Sequence, residues 1–386
     1  MQFINPYFCV INDELPSYEE FYKKILSKNV VCLIDQRLTA NWDCRKTWVT
    51  NDGAVNLDFL QAKYGNKMCP VYNCNKKYYD SNPSKMMHMK EFIEYWKTVI
   101  SQNYNYESND VLYLKDFHMF QEVTGSEDVY SVPQYFQSDY LNEYCLANKL
   151  TDYRFVYMGP KMSSTPLHVD VFGSFSWSAN ICGLKKWLLI PPKNVKKLKQ
   201  LLPAVPGDLY SVPGHEEILK QVEAFEITQK GGQTLFVPSG FMHQVLNGED
   251  TISINHNWIN AANLTLIYDN IIEAHEQVQK EIKDLKATLS KEEWQENCQK
   301  ILAMHFGINL TEFLKIISHI ASRLEKESTK STSSTQKFRF EHDVDVIFNV
   351  ATKIRSNDHF ESCWNQADMI QKQLSTIKHK KLAKLL

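Results

Sequence analysis

His168 and Asp170 form an H-x-D triplet within the segment LHVDVF at 167–172. Residues i and i+2 of a β-strand point to the same face, so this imidazole and this carboxylate can reach a single ion. A second imidazole completes the facial triad that holds non-haem Fe(II) and leaves other coordination positions open. Such triplets are common by chance, and a surface pair is their ordinary explanation. His243, which follows the turn VPSG and precedes a β-patterned run, is the candidate for the third ligand.

Two adjacent lysines in GLKKWLLIPP indicate an anion site near these candidate ligands. Because side chains alternate along a strand, one of Lys185 and Lys186 points inward and the other points outward. A buried lysine is costly unless an anion compensates its charge. An inward lysine beside a metal pocket is therefore better explained by a bound anion than by packing. Thr165, three residues before His168, offers a hydroxyl group close to the same strand.

The other chemistry-bearing residues are better explained as structural. His256 lies on a strand near the site, but the alternation of His, Asn and Trp there favours an outward-facing side chain. We interpret His118 and His215 as structural too. The sequence contains none of the patterns G-x-S-x-G, G-x-x-x-x-G-K-[ST] and G-x-G-x-x-G, and no cysteine stands out as a nucleophile.

Composition narrows the class of protein. The 386 residues correspond to roughly two or three domains, and the near-neutral net charge of −2 argues against a protein that grips nucleic acid through a cationic surface. The nine cysteines include no C-x-x-C pair, which argues against a zinc ribbon or a disulfide framework and favours a reducing compartment. We find no pattern typical of a signal peptide or a transmembrane segment. We therefore expect a cytoplasmic protein, with the nucleus as a second location, and no membrane partner.

Three regions of different periodicity must position the candidate residues. Residues 1–105 mix short helical patterns with apolar runs, which predicts an α/β segment that packs on the core. Residues 106–262 contain many short β-rich runs bounded by turn residues, which predicts a mainly β core built as a sandwich, jelly roll or barrel. Residues 263–386 change to a helical period, and their polar stretch at 327–337 predicts a flexible loop. The helical region carries two apolar stripes, namely Leu264, Ile267, Ile271, Val278, Ile282 and Leu285, and then Phe313, Ile316, Ile317, Ile320 and Leu324.

The combination of these segments resembles the Jumonji C (JmjC) family of 2-oxoglutarate- and Fe(II)-dependent oxygenases. Any one segment would be weak evidence, but together they are specific. The resemblance is carried by LYLKDFH (112–118), DYRFVYMGP (152–160), LHVDVF (167–172), SFSWSANICGLKKWLLIPP (174–192), FVPSGFMHQV (236–245) and DTISINHNW (250–258).

The resemblance implies a fold and a set of site residues. The fold is a distorted double-stranded β-helix, a cupin-like jelly roll, with flanking helices and a C-terminal helical region. Iron is expected on His168, Asp170 and His243. The distal carboxylate of 2-oxoglutarate is expected on Lys185 rather than on Lys186. The other residues expected around the cosubstrate are Tyr113, Thr165, Ser178 and Asn257, with Asn255 as an alternative to Asn257.

The resemblance also implies oxidative chemistry, in which the decarboxylation of 2-oxoglutarate drives the reaction of O2 with an unactivated C–H bond. The implied substrate is a lysine side-chain carbon of the translation termination (peptide chain release) factor. One alternative is an N-methyl-lysine demethylase, although the H-x-D triplet and the absence of zinc-binding reader motifs favour hydroxylation. Another is a non-catalytic jelly-roll protein that acts through its helical region. A homodimer formed through the C-terminal helices is a further expectation.

Overall fold

The computed structural model describes residues 1–76, 82–107, 110–120, 129–328 and 333–382. Within these residues the chain forms two β-sheets, helices that flank them, and a helical C-terminal region. This architecture confirms the predicted mainly β core with flanking helices.

The strands are short and most lie between residues 110 and 260. Their bounds are β1 (Gln2–Asn5), β2 (Phe8–Ile11), β3 (Val31–Ile34), β4 (Met68–Asn73), β5 (Ser84–His88), β6 (Leu112–Phe117), β7 (Arg154–Gly159), β8 (Ser164–Val169), β9 (Phe175–Cys182), β10 (Leu184–Ile190), β11 (Phe225–Lys230), β12 (Thr234–Val237), β13 (Met242–Asn247) and β14 (Thr251–Trp258).

The longer helices follow the last strand. The helix bounds are α1 (Tyr18–Phe21), α2 (Cys44–Thr47), α3 (Leu57–Tyr64), α4 (Met89–Ser101), α5 (Tyr140–Ala147), α6 (Pro192–Leu201), α7 (His215–Gln221), α8 (Leu264–Glu281), α9 (Lys291–Phe306), α10 (Leu310–Glu327), α11 (Ser334–Arg355) and α12 (Trp364–Leu382). Single 3-10 or π turns lie at Tyr22–Leu26, Gln36–Thr39, Val171–Gly173, Leu209–Ser211, Lys283–Ala287 and Asp358–Cys363.

Strands β7 to β14 form the jelly roll, because successive strands enter opposite sheets except for β10 and β11, which pair within the small sheet. The order β12-β9-β14-β7 lies within the large sheet, and the order β11-β10-β13-β8 forms the small sheet. The sequence of β9 shows how each face is set. Phe175, Trp177 and Ala179 are buried in an apolar cluster, whereas Ser176 and Ser178 alternate with them and point to the barrel interior. The interior is therefore partly polar.

The N-terminal segment extends the large sheet instead of only packing against it. Strand β3 pairs with β12 at one side, and β6 is followed by β4 and β5 at the other side. Leu33 of β3 is paired with Leu235 of β12, and both belong to the apolar cluster of the barrel interior. The boundary predicted near residue 105 thus separates two segments of one sheet.

The apolar stripes of the C-terminal region are buried against one another, as their helical spacing predicts. Phe313, Ile317 and Ile320 are fully buried in one cluster that joins α5 with α8 to α12. Leu285 is the exception, because α8 ends at Glu281 and Leu285, in the 3-10 turn that follows, is 46% exposed. The stripes therefore build an intramolecular core.

Part of the stretch 327–337, which the sequence predicted to be a flexible loop, is helical. Residues 334–337 form the first turn of α11, and Ser333 caps this helix. The Ser333 hydroxyl accepts a hydrogen bond from the Gln336 backbone N–H, and the Ser333 backbone N–H donates to Oε1 of Gln336. Residues 329–332 lie outside the described residues. The polar residues at the end of this stretch form the capping box of α11, although their composition is also typical of a loop.

In the part of the chain that the structure describes, no single helix has the length and apolar composition to cross a membrane. Helices α9 and α10 meet those criteria only as a pair, bent by 76° at the break between them.

Replacing Leu33 with alanine tests whether the N-terminal strands and the jelly roll share one core. Leu33 is 7% exposed, so Leu33→Ala is expected to lower the free energy of unfolding by about 2–5 kcal/mol. The matched control is Ile4, which lies in the same segment but is 54% exposed. Ile4→Ala should change the free energy of unfolding by less than about 0.5 kcal/mol. Urea unfolding followed by tryptophan fluorescence measures both. Equal effects of the two substitutions would contradict the shared core.

Candidate metal centre

His168, Asp170 and His243 lie together at one end of the jelly roll. The antiparallel register of β8 and β13 pairs His168 directly with His243, and their ring centroids are 4.3 Å apart. Nε2 of His168 lies 3.9 Å from Oδ1 of Asp170. One ligand atom from each residue lies within 4.8 Å of the other two. The strand pairing thus assembles the two imidazoles and the carboxylate that the spacing predicted.

Hydrogen bonds hold these three side chains in an orientation suited to a metal. In both histidines Nδ1 contacts the backbone carbonyl oxygen two residues earlier, at 2.8 Å for His168 and 3.2 Å for His243. A carbonyl oxygen only accepts, so each Nδ1 carries the proton and each Nε2 keeps a lone pair for a metal. The Ser176 hydroxyl donates to Oδ2 of Asp170 at 2.7 Å, which fixes the carboxylate.

The site is buried on one side and open on the other. The His243 side chain is buried against the ring of Trp187, at 5.7 Å between centroids. Burial and, to a smaller degree, the neighbouring His168 together lower the pKa of His243 to about 4, although Asp170 opposes both effects. His243 is therefore a neutral imidazole at physiological pH, which is the form that binds metals. The His168 side chain is 38% exposed, so solutes can approach from its side.

Lys185 is a buried cation inside the same barrel. Its side chain points inward from β10, is 2% exposed and donates from Nζ to the Ser253 hydroxyl at 2.6 Å. Burial lowers its pKa to about 7, and no carboxylate of the described residues forms an ion pair with it. Lys186 is exposed on the opposite face. The interior thus contains a positive charge that lacks an anion, as the alternation of the two lysines predicted for one of them.

Tyr113 lies on the same side of the barrel interior as Lys185, and the ring of Tyr157 separates the two residues. Its ring is fully buried and meets the ring of Tyr157 edge-on at 6.0 Å, and the Tyr157 ring lies 5.9 Å from Nζ of Lys185. Gly159 makes room for this arrangement, since a Cβ at that position would lie 2.6 Å from the Tyr113 ring. Burial raises the pKa of the Tyr113 phenol, which therefore stays protonated and able to donate.

Thr165 reaches the interior because of an irregularity in β8. Thr165 is three positions before His168, and in a regular strand an odd spacing places the two side chains on opposite faces. The register pairs His168 with His243 but Thr165 with Val245, so one extra residue is accommodated opposite Gln244. This bulge returns Thr165 to the face of the candidate ligands.

Ser178 and Asn255 lie at one level of the barrel wall, and Asn257 lies at the next level. Ser178 is paired with Asn255, and its buried hydroxyl has no hydrogen-bond partner in the structure. The Asn255 amide donates to the Ser253 hydroxyl at 3.1 Å, so Asn255 belongs to the Lys185 end. The Asn257 amide instead donates to Ser174 at 3.1 Å, nearer to the candidate ligands.

Sequence reasoning missed Ser176 and Ser253, which contact Asp170 and Lys185 respectively. Both are on strands whose inward period was recognisable, but serine on a strand carries no signal of its own. The Tyr157 hydroxyl donates to Asp116, whose backbone is left-handed at φ 56°. That contact depends on a bulge in β6 that the sequence did not reveal.

The competing histidines occupy other environments. His256 is buried on the outer face of β14, where it packs on Trp177 and its Nε2 lies 2.8 Å from the Tyr130 hydroxyl. His118 contacts the buried carboxylate of Asp152 at 3.3 Å. Both positions agree with a structural role.

The donor set fits a divalent metal together with a small dianion. Two imidazoles and one carboxylate on one face match the ligand preference of Fe(II). A buried ammonium and an unsatisfied hydroxyl, on Lys185 and Ser178, further suit a carboxylate in the same interior.

A family profile described as "JmjC domain, hydroxylase" matches residues 155–258, which closely coincide with strands β7 to β14. The chain is 43% identical over 317 residues to the 2-oxoglutarate and iron-dependent oxygenase JMJD4 of Danio rerio, which covers 81% of this chain and 74% of the relative. It is 40% identical over 312 residues to the human protein of the same name, covering 80% and 74%. It is 34% identical over 329 residues to an arginine-specific demethylase, JMJ20, of Arabidopsis thaliana, covering 81% and 69%. The chain therefore belongs to the JmjC family of 2-oxoglutarate- and iron-dependent oxygenases, which use Fe(II), 2-oxoglutarate and O2.

Proposed function

We propose that the protein is a lysyl hydroxylase that oxidises a side-chain carbon of the translation termination factor. In this proposal His168, Asp170 and His243 hold Fe(II), and Lys185 binds the distal carboxylate of 2-oxoglutarate. The proposed location is the cytoplasm, with the nucleus as a second compartment. The supporting observation is one juxtaposition. A cluster of two imidazoles and one carboxylate and a buried ammonium without an anion partner among the described residues share the same barrel interior.

Each protein group has a separable role. His168, Asp170 and His243 offer three ligands on one face, and Ser176 prevents the carboxylate from rotating away. Lys185 supplies the positive charge for a carboxylate, and Ser253 fixes the direction of its ammonium. When bound, Fe(II) and 2-oxoglutarate supply the oxidation by O2, which no side chain of the protein can perform.

The interior also limits access of water to the buried ligand. Trp187, Leu189 and Val245 belong to the apolar cluster that surrounds the barrel interior, and His243 lies against Trp187. Water is thereby excluded behind His243, while the exposed side of His168 stays open to a protein side chain. This asymmetry directs the approach of a substrate to a single side of the metal centre.

Demethylation is the second candidate activity, because one relative bears the name of an arginine-specific demethylase. The same oxidation directed at an N-methyl carbon yields a hemiaminal that releases formaldehyde, so the ligand set alone does not choose between the reactions. An N-methyl-lysine demethylase remains the alternative substrate assignment. A non-catalytic role is disfavoured because all three candidate ligands are retained.

The two adjacent lysines provide a matched test of the cosubstrate site. Lys185→Ala is expected to raise the dissociation constant of 2-oxoglutarate about 10-fold or more, because a buried carboxylate would lose its cation. Lys186→Ala should leave that constant within about twofold, since the exposed side chain lies on the other face. Calorimetric titration of 2-oxoglutarate into the Mn(II)-loaded protein measures both without turnover. Equal effects would contradict the assignment of Lys185.

The lowered pKa of Lys185 predicts that cosubstrate binding depends on pH. Since that pKa is about 7, the cosubstrate-free protein loses the ammonium proton as the pH rises through this value. A bound carboxylate favours the charged form, so affinity for 2-oxoglutarate should fall between about pH 7 and 9, with proton uptake on binding. Lys185→Arg, which stays charged, should flatten the profile. Titrations in buffers of different ionisation enthalpy count the protons, and a flat wild-type profile would contradict the prediction.

The substrate assignment is tested by mass spectrometry of the translation termination factor after incubation with the protein, Fe(II), 2-oxoglutarate and O2. We expect the mass of one oxygen atom to be added to a single lysine. His168→Ala should abolish the addition because a metal ligand is lost. His215→Ala, a change outside the barrel, should retain it.

Other outcomes of that experiment separate the alternatives. Consumption of 2-oxoglutarate with an unchanged termination factor would reject this substrate and retain the oxygenase. Release of formaldehyde from a methylated peptide would favour demethylation. No consumption of 2-oxoglutarate would favour the interaction protein.

A further inference from the structure

A groove of about 1000 Å³ begins at the candidate metal centre and runs between the jelly roll and the C-terminal helices. Asp170 lines the groove, and so do the residues of the turn Val171–Gly173. Helix α6, which follows β10, contributes one wall, and α8 contributes another. The end of α9 and the residues after it also line the groove. The cavity thus exists because the helical region docks beside the metal centre.

The α6 wall is basic and the α8 wall is acidic on balance, although Lys280 of α8 also lines the groove. Lys196 and Lys199 of α6 are exposed on one wall, and Glu273 and Glu276 of α8 are exposed on the other. None of these four side chains forms an ion pair or a hydrogen bond within the described part of the chain. By contrast, Asp269 on the same α8 is paired with Lys353 at 3.1 Å. The groove charges are therefore available to a partner.

Two exposed apolar side chains lie between the charged walls. Met304 is 79% exposed and Val171 is 45% exposed, and both line the groove. Met304 is the most exposed large apolar residue in the described part of the chain. A flexible thioether at a surface adapts to varied apolar side chains. Apolar side chains of this kind beside a reaction centre are typical of a contact surface for another molecule.

We propose that this groove binds the polypeptide segment on either side of the target residue. The segment presents an acidic side chain to Lys196 and Lys199, a basic side chain to Glu273 and Glu276, and an apolar side chain to Met304. The inference rests on the proposed function, since it requires a protein substrate. A uniformly anionic nucleic acid would be repelled by the α8 wall, and a small cosubstrate would leave most of the groove unfilled.

Because the groove meets the metal centre at Asp170, a segment that lies in it places a neighbouring side chain beside the exposed His168. The groove charges lie outside the barrel that contains Lys185. Changes in the groove are therefore expected to alter the binding of the protein substrate and to leave the binding of 2-oxoglutarate unchanged. That separation makes the inference testable.

The test measures steady-state hydroxylation of the translation termination factor by the full chain with Fe(II) and 2-oxoglutarate. Three variants change the groove, namely K196E/K199E, E273K/E276K and M304A. Each has a matched control elsewhere, namely K220E on α7, E281K at the end of α8, and M369A, which changes a methionine of α12 that is 65% exposed. We expect each groove variant to raise KM about fivefold or more with little change in kcat, because rim charges act mainly on association.

Two further readouts separate docking from general damage. The charge variants should also weaken the dependence of KM on salt, since they remove the screened attraction, and the dissociation constant of 2-oxoglutarate should stay within about twofold of the wild type. A photo-crosslinking benzoylphenylalanine at position 304 should capture the termination factor, whereas the same group at position 369 should not.

The outcomes distinguish this inference from the proposed function. If the wild type hydroxylates the termination factor and the groove variants match their controls in KM, salt dependence and crosslinking, the groove is not the docking site and the proposed function stands. If the wild type consumes 2-oxoglutarate but leaves the termination factor unmodified, the proposed substrate is rejected and the docking inference is rejected with it.

Discussion

The interior of the jelly roll is organised around a positive charge that the protein itself does not neutralise. Lys185 is 2% exposed, and among the described residues its ammonium group donates to the neutral hydroxyl of Ser253 and faces the ring of Tyr157, without a carboxylate partner. Its pKa falls to about 7 because burial disfavours the charged form, so the folded chain without an anion carries an energetic penalty at this position. A bound carboxylate removes that penalty. The same feature that weakens the empty barrel would therefore strengthen the proposed binding of 2-oxoglutarate at Lys185.

A polar interior requires apolar contacts elsewhere to hold the sheets together. Strand β9 directs Ser176 and Ser178 inward, so its packing energy comes from Phe175 and Trp177 on the outer face. The N-terminal segment covers that face, and its strand β3 continues the large sheet beside β12. The segment is thus a structural requirement of the metal centre, since an uncovered outer face would expose several aromatic rings to water.

The sequence revealed those features that follow from residue type and regular strand period. The H-x-D spacing identified His168 and Asp170 as candidate metal ligands. The alternation of side chains along a strand predicted that either Lys185 or Lys186 points into the barrel. Resemblance to the family was needed to choose Lys185 and to propose Thr165. The three-residue spacing of Thr165 from His168 works only through the bulge in β8, which has no local sequence signal. Ser176 and Ser253 escaped notice because their roles depend on which residues face them across the barrel.

Long-range pairing was the other limit of prediction. Nothing in residues 1–105 specified that β3 would lie beside β12, because partner choice between strands depends on tertiary packing. Within the helical region the apolar period was sufficient for the core, and a capping box at Ser333 was hidden by polar composition. The period also has a consequence for α8. Since Ile267 and Ile271 face the helical core, the exposed Glu273 and Glu276 are left to line the groove, so the contacts that dock the helix also set the charge of the wall beside the metal centre.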